Sequence, residues 1–196
     1  MPFSDLKRGI LNRIELFCDG ACKGNQEEEN TGGYGALLLY GKHEKEISGG
    51  TVNTTNNIME MTAMLEGLRA IKRVDIPVVV YGDSAYLLNG LKEKWYVAWR
   101  RNGWKTKAKT PVENRALWEE LLEQVERFDS ISYRKIKGHL STESPTLEKW
   151  FEKYKEEEED VSLEEFLRLL TNNARVDKLA SEFALQLQDS RTSIGE

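Results

Sequence analysis

The sequence predicts an α/β domain built on a mixed, five-stranded sheet with flanking helices. Three stretches rich in β-forming residues come first, at about 13–19, 33–40 and 45–52, and Gly-rich turns join them as in an antiparallel meander. Two further strand-like segments, 76–81 and 131–137, alternate with amphipathic helices. With 196 residues, 39% of them hydrophobic, the chain is long enough for one domain with a real core.

Four helices are predicted around these strands. Thr54 to Asn57 caps the first, whose apolar residues recur at helical spacing, and Gly82-Asp83-Ser84 opens the second after the buried strand 76–81. A third is expected over 112–128 and a closing one over about 172–188. The predicted organisation is an N-terminal extension (1–12), one domain (13–188) and a flexible tail (189–196).

The net charge of −5 conceals a strongly dipolar chain. Residues 92–110 carry seven cations against one acid, whereas 143–165 carry ten acids against three lysines. Because a polyanion responds to local charge, the basic segment 92–110 is compatible with nucleic-acid binding. The acidic run belongs to a segment of about 141–171, which separates the last strand from the closing helix.

Membrane and secretory classes are not indicated. The sequence has no apolar run of ~18 residues, and its first residues lack the apolar centre of a signal peptide. Cys18 and Cys22 have no Cys or His cluster to complete a zinc site and are interpreted as reduced structural thiols. We therefore expect a cytoplasmic protein without a membrane partner.

Four acidic residues occupy comparable structural positions. Asp19 is expected where the first strand stops, Glu60 early in the first helix, Asp83 just past a buried strand and Asp177 near the start of the last helix. Such a cluster suits Mg²⁺, which prefers oxygen ligands, and two such ions can stabilise the attacking and leaving oxygens of a phosphodiester. Taken singly, each acid is also compatible with a turn, a helix cap or a solvated position.

The residues around these acids resemble the successive motifs of type 1 ribonuclease H, in the family's order and over about 13–188. The motifs are Asp19-Gly20-Ala21-Cys22-Lys23-Gly24-Asn25, Thr54-Thr55-Asn56-Asn57-Ile58-Met59-Glu60, Tyr81-Gly82-Asp83-Ser84, Lys137-Gly138-His139 and Asn173-Ala174-Arg175-Val176-Asp177. The resemblance implies a ribonuclease-H-like fold and two Mg²⁺ ions, with Mn²⁺ as a substitute. It implies that Asp19, Glu60, Asp83 and Asp177 are the catalytic metal ligands. His139 matches a mobile histidine that assists proton transfer or product release, which suits an imidazole.

The same resemblance implies an RNA/DNA hybrid as the partner, recognised through its 2′-hydroxyls. Cys22, Asn25, Asn56 and Asn57 match positions that line the hybrid, and Thr55 and Asn114 match a pocket for a DNA-strand phosphate. The two asparagines are also compatible with helix capping. Ala85 departs from the family pattern, because many relatives carry a glutamine there that touches the RNA strand.

The basic segment 92–110 resembles the family's protruding handle. Trp99, Arg100, Trp104 and Lys105 are the expected substrate contacts, by phosphate pairing and by stacking or apolar contact with sugars. The alternative for the tryptophans is that they pack the handle onto the domain. Its own handle would let the chain bind substrate without a separate hybrid-binding domain. A monomer is expected.

The segment 141–171 is an insertion that the family pattern does not explain. Ser144-Pro145 can start one amphipathic helix, and Ser162 with Glu165 forms a capping box for a second. The simplest interpretation is a helical hairpin that closes over the domain with a solvated acidic tip. Two other hypotheses are a docking surface for a protein partner and an acidic flap that repels misplaced nucleic acid.

The expected function is endonucleolytic hydrolysis of the RNA strand of RNA/DNA hybrids, leaving 5′-phosphate and 3′-hydroxyl ends. Two alternatives stay open from the residues. One is another ribonuclease-H-like nuclease that acts on DNA, such as a junction resolvase or a transposase core. The other is a hybrid-binding module without catalysis, against which the retention of all four carboxylates counts.

Overall fold

The computed structural model describes residues 12–24, 30–158 and 161–192. The strands are β1 (Ile14–Lys23), β2 (Thr31–Tyr40), β3 (His43–Val52), β4 (Val78–Gly82) and β5 (Ile131–Lys135). The helices are α1 (Asn56–Ala70), α2 (Ala85–Lys92), α3 (Trp95–Arg101), α4 (Arg115–Val125), α5 (Leu147–Glu157) and α6 (Leu163–Thr192).

The five strands form one mixed sheet in the order β3-β2-β1-β4-β5. β1, β2 and β3 pair antiparallel, as expected of a meander, whereas β4 lies parallel to both β1 and β5. All five residues of β4 are buried, as the continuous apolar run predicts for a strand between two others. The predicted fold class is confirmed.

Alternation along the strands divides the core between the two faces of the sheet. Leu16 of β1 and Val80 of β4 belong to the larger apolar cluster, formed with α1, α2 and α4. Phe17 and Tyr81 point the other way and stack on each other with centroids 4.7 Å apart, in a second cluster with α5 and α6. The insertion therefore contributes to the core.

The first strand is longer than predicted. β1 does not stop at Asp19 but runs to Lys23, because its antiparallel partner β2 continues to pair with it through Lys23↔Thr31. Its parallel pairing with β4, by contrast, ends at Phe17↔Tyr81. Asp19 thus lies within β1 but just past the end of the β1–β4 ladder.

The closing helix is also longer than predicted. Ser162 accepts a hydrogen bond from the amide of Glu165 at 3.1 Å, so the predicted cap is present, but the helix then continues for 30 residues to Thr192. No Gly or Pro interrupts 163–192, and the Asn172-Asn173 pair is buried within the helix and does not start a new one. Residues 189–192, expected in a flexible tail, are helical.

Smaller differences affect two other helices. α4 begins at Arg115 and ends at Val125, inside the predicted 112–128. α5 begins at Leu147, because the Ser144 hydroxyl and carbonyl are used in a turn with the amides of Thr146 and Leu147. Within the described ranges, no helix has both the length and the apolar character needed to cross a membrane.

Candidate active site

Asp19 forms the floor of the site. Its side chain is only 6% exposed and accepts a hydrogen bond from the amide of Gly20 at 2.8 Å. By strand alternation it lies on the same sheet face as Glu15 and Phe17, the face covered by α5 and α6. Because β4 no longer pairs alongside it, there is room beside Asp19 for side chains from other elements.

Glu60 reaches Asp19 because β1 and α1 approach each other closely at Gly20. A Cβ at Gly20 would overlap the backbone of Met59 and Glu60, so a larger residue would push the helix away. One carboxylate oxygen of Glu60, Oε2, is buried and has no hydrogen-bond partner within the described part of the chain. A buried acceptor of this kind is costly unless a cation or donor satisfies it.

Asp83 completes a cluster of three carboxylates. It follows β4 directly, and the loop after β5 presses against it, since a Cβ at Gly138 would overlap its carboxylate. Ligand oxygens of Asp19, Glu60 and Asp83 lie within 4.8 Å of one another. Carboxylates at this spacing are suited to a shared hard cation.

Asp177 approaches the cluster from the middle of α6, and not from near a helix start as predicted, because α6 already begins at Leu163. Small residues on β2 let this helix lie against the sheet, since a Cβ at Gly33 or Gly35 would overlap the α6 backbone. Asp177 is 35% exposed, and its Oδ2 lies 3.6 Å from Nδ1 of His139. It lies outside the tight group of three, whose oxygens lie within 4.8 Å of one another.

The packing of acids raises the pKa of the most buried one. Burial, followed by repulsion from Asp83, raises the pKa of Asp19 from 3.8 to about 8, despite the hydrogen bond from Gly20. Burial also raises the pKa of Glu60, with Ser84 opposing that shift and Asp83 adding to it. Bound cations would remove this repulsion, so the donor set and the unsatisfied oxygen of Glu60 fit a divalent metal.

A groove lies beside this cluster, at the start of α1. Four of the residues expected to contact a hybrid border one cavity of about 640 Å³, namely Cys22, Thr55, Asn56 and Asn57. Thr55 also caps α1 by accepting from the amide of Ile58 at 3.3 Å, while the two asparagines are exposed. Asn25, expected in the same groove, lies outside the described residues.

Comparison with known proteins places this geometry in a family. The family model described as RNase H matches residues 12–184. The chain belongs to the ribonuclease H family. Ribonuclease H of Clostridium botulinum is 42% identical over 133 residues, 68% of this chain and 88% of that protein. Ribonuclease HI of Neisseria meningitidis is 50% identical over 126 residues, 64% of this chain and 83% of that protein.

A solved structure gives the same result. LC9-RNase H1, described as a type 1 RNase H with the type 2 active-site motif, is 32% identical to this ribonuclease H, with a TM-score of 0.57. The match covers 65% of this chain and 64% of that one. The expected family, fold and enzyme class, a ribonuclease H, are thereby confirmed.

The handle of this ribonuclease H is attached by its tryptophans. Trp99 packs edge-on against the fully buried Trp118, with centroids 5.3 Å apart, and tilts against Trp104 at 6.1 Å. Trp104 is only 7% exposed, and Arg115 lies over its ring at 5.5 Å. The expectation that Trp104 offers a stacking surface is therefore corrected, because tertiary packing, which composition alone does not show, occupies its ring.

The polar residues in and next to the handle differ in whether their side chains already have partners within the protein. Lys105 is exposed, whereas Arg100 pairs with Glu126 at the end of α4 at 2.6 Å. Asn114 occupies the N-cap position of α4 in a left-handed conformation (φ 55°), and its side chain makes no capping hydrogen bond. The side-chain amide of Asn114 is thus not used to cap its own helix.

Three features of the site were missed from the sequence. The side chain of Asn30 makes two hydrogen bonds of 2.9 Å with the backbone of Thr54. Its Nδ2 donates to the Thr54 carbonyl, and its Oδ1 accepts from the Thr54 amide. Ser84 lies against Glu60 and at the same time caps α2. The insertion helix α5 lines a cleft that also contains Asp83 and His139. The sequence could have indicated the first two, because asparagine side chains often bind backbone groups and Ser84 stands at a predicted helix start. The position of α5 depends on tertiary packing.

Proposed function

We propose that this ribonuclease H cuts the RNA strand of RNA/DNA hybrids at a site where Asp19, Glu60, Asp83 and Asp177 hold two Mg²⁺ ions. The expected products carry 5′-phosphate and 3′-hydroxyl ends. Mn²⁺ is expected to substitute. A single observation supports the metal assignment most strongly: three carboxylates from β1, α1 and the end of β4 meet within 4.8 Å, and one of their buried oxygens is unsatisfied.

The bound cations supply positive charge to the attacking and leaving oxygens of the phosphodiester. The chain positions them: the amide of Gly20 orients Asp19, and Ser84 orients Glu60. Burial of Asp19 excludes water from one side of the cluster, which strengthens its interaction with a cation. Catalysis is then largely positioning and charge stabilisation, which a rigid sheet edge supports.

His139 is proposed to move a proton at the edge of the site. Its side chain is 76% exposed and lies 3.6 Å from Asp177, so it can reach both solvent and the site. Its backbone is left-handed (φ 52°), a conformation uncommon for a residue other than glycine. An exposed imidazole on a strained loop suits proton exchange or product release.

Substrate recognition is proposed to use the groove beside α1 and the handle. Cys22, Asn56 and Asn57 would contact the sugar edge of the hybrid, and Thr55 with Asn114 would bind a DNA phosphate. Lys105 and Arg100 are the proposed phosphate contacts of the handle, with the partly buried Trp99 as an apolar contact. Action as a monomer, a cytoplasmic location and a protein partner on the acidic part of the insertion stay predictions.

The test is strand-specific cleavage. A hybrid labelled separately on each strand is incubated with the protein in Mg²⁺ or EDTA, beside duplex RNA and duplex DNA. Cutting of the RNA strand of the hybrid alone, lost in EDTA and leaving ends that a 5′-phosphate-dependent exonuclease accepts, is expected. Cleavage of duplex DNA would favour a different nuclease of this fold, and binding without cutting would favour a hybrid reader.

A further inference from the structure

We propose that the cleft between the insertion helix α5 and the end of β5 is a substrate subsite, which binds a nucleotide flanking the scissile phosphate. The inference rests on the proposed function. It gives the cleft side of the insertion a role in binding nucleic acid, in place of the hypothesis of a repelling flap and beside the predicted protein partner on its acidic part.

The location of the cleft connects it to the site already described. It has a volume of about 280 Å³ and is lined on one side by β5 and the loop that follows it, and on the other by α5. Asp83 and His139 are among its lining residues. A ligand in the cleft would therefore be continuous with a phosphate held at the carboxylate cluster.

The charges of the cleft favour an anion. Lys137, from the loop after β5, and Lys153, from α5, each place the ammonium nitrogen 5.2 Å from the ring centroid of Trp150. The two nitrogens are thus no more than about 10 Å apart, close to one screening length, so they repel each other. Among residues 12–24, 30–158 and 161–192, these two ammonium groups contact the Trp150 ring and no carboxylate, so an anion in the cleft could pair with them.

A third lysine, Lys135, also lines the cleft, beside the two acids Asp83 and Glu157. In the proposed site the charge of Asp83 is balanced by the bound cations. The lysines of the cleft can therefore pair with a phosphate. Glu157 limits how much anionic charge the cleft accepts. This balance fits a single nucleotide better than an extended polyanion.

The remaining walls are apolar and aromatic. Trp150, Phe166 and Ile136 line the cleft, and so does Tyr154, which is 7% exposed. The hydroxyl of Tyr154 is buried without a hydrogen-bond partner in the described part of the chain. An apolar ring beside paired cations matches a sugar or base beside its phosphate, and Tyr154 contributes to the aromatic wall.

Lys153→Ala tests the subsite, with Lys42→Ala as the matched control. Lys42 is an exposed residue in the turn between β2 and β3, at the end of the sheet away from Asp19, and it carries the same charge. Cleavage of a hybrid in Mg²⁺ is measured over a range of salt concentrations. For Lys153→Ala we expect KM to rise roughly 3- to 10-fold, kcat to stay within about twofold, and the slope of log KM against log salt to fall by about 1.

Lys153→Arg should restore both KM and the salt slope, which a merely structural role of the side chain would not require. Shortening the hybrid from each end should abolish the effect once the flanking nucleotide is removed, and this identifies the flank. Lys153→Ala with the KM and salt slope of the wild type would overturn the subsite while leaving the proposed function intact. A wild-type protein that cuts no hybrid would instead overturn the proposed function.

Discussion

At the residue scale, Asp19 shows how one side chain ties the fold to its chemistry. Its position is imposed by pairing: the β1–β4 ladder ends two residues earlier, which opens the space that Glu60 and Asp83 enter. Burial, with repulsion from Asp83 added to it, destabilises the charged form and raises the pKa of Asp19 to about 8. The metal-free site is thus a local source of instability, as expected of a preorganised charge cluster.

Asp19→Asn should therefore stabilise the metal-free protein. A folded pKa above the unfolded value means that the folded state holds the proton more tightly, so this contribution to stability is present below about pH 4 and is lost as the pH rises through about 8. In EDTA at pH 8 the variant should melt at least about 2 °C above the wild type, because it removes roughly 1 kcal/mol or more of unfavourable charge burial and repulsion. Thermal unfolding followed by circular dichroism measures this difference.

The control is the same pair of proteins at pH 4, where most of the difference should vanish because Asp19 is then protonated in the folded state and partly protonated in the unfolded state. Saturating Mg²⁺ should also narrow the gap, since only the wild-type carboxylate gains a ligand. A variant that melts below the wild type in EDTA at pH 8 would contradict the raised pKa of the buried Asp19 carboxyl.

At the element scale, the insertion is fixed to the sheet by a buried ionic network. Glu15 of β1 is only 2% exposed, and Arg168 from the first half of α6 binds both its oxygens, at 2.9 and 3.0 Å. Arg13 pairs with the same carboxylate at 2.8 Å. Glu15 and Asp19 share one face of β1, so the network that anchors α6 borders the site. Removal of 144–170 would thus take away Tyr154, Phe166 and Arg168 together.

Arg168→Ala should lower the free energy of unfolding by about 1 to 3 kcal/mol, because it removes charge-assisted hydrogen bonds to a buried carboxylate. Arg175→Ala is the matched control: Arg175 lies on the same helix and pairs with two carboxylates, Glu44 and Glu46, but those pairs are exposed. Its loss should cost less than about 1 kcal/mol. Urea unfolding curves measure both.

Equal losses for the two variants would contradict the view that Glu15 depends on its buried partner. The ion pair between Glu15 and Arg13 remains in Arg168→Ala, so Glu15 still has a cationic partner. This limits how far the substitution lowers the free energy of unfolding.

At the scale of the whole molecule, the two faces of the sheet carry different functional features. The face covered by α1 and α4 carries the larger core, and the handle is attached to it through Trp99 and Trp118. The opposite face carries α5 and α6, and with them Asp177 and the lysine-lined cleft. Basic and acidic segments therefore contribute to different parts of one molecule, which the net charge of −5 conceals.

The order of the elements along the chain and the positions of Glu60 and Asp83 were predictable because they depend on local patterns. Alternation, apolar runs and caps such as Thr55 and Ser84 place Glu60 and Asp83 within their elements before any tertiary contact is known. The end of β1 was not predictable from Asp19-Gly20, since it depends on how far β2 continues beside it.

Tertiary packing accounts for the other differences. Asn172-Asn173 resembles a helix start, but both residues are buried inside a continuous helix. Trp104 resembles a surface stacking residue, but neighbouring rings and Arg115 occupy it. In each case the local sequence permits two structures, and contacts distant in sequence select one.

The most direct measurement is the single-turnover rate of hybrid cleavage in Mg²⁺ for amide variants of the four acids, beside an exposed control. The variants are Asp19→Asn, Glu60→Gln, Asp83→Asn and Asp177→Asn, with Asp75→Asn as the control. Asp75 is exposed and pairs with Arg73 away from the cluster, so its variant should cut at a rate within about twofold of the wild type.

We expect the three clustered variants to lose roughly 100-fold or more in rate while remaining folded, and Asp177→Asn to lose less, because it lies outside the tight group. A folded Asp83→Asn protein that cuts the RNA strand at the rate of the wild type would contradict the assignment of this cluster as the catalytic metal site.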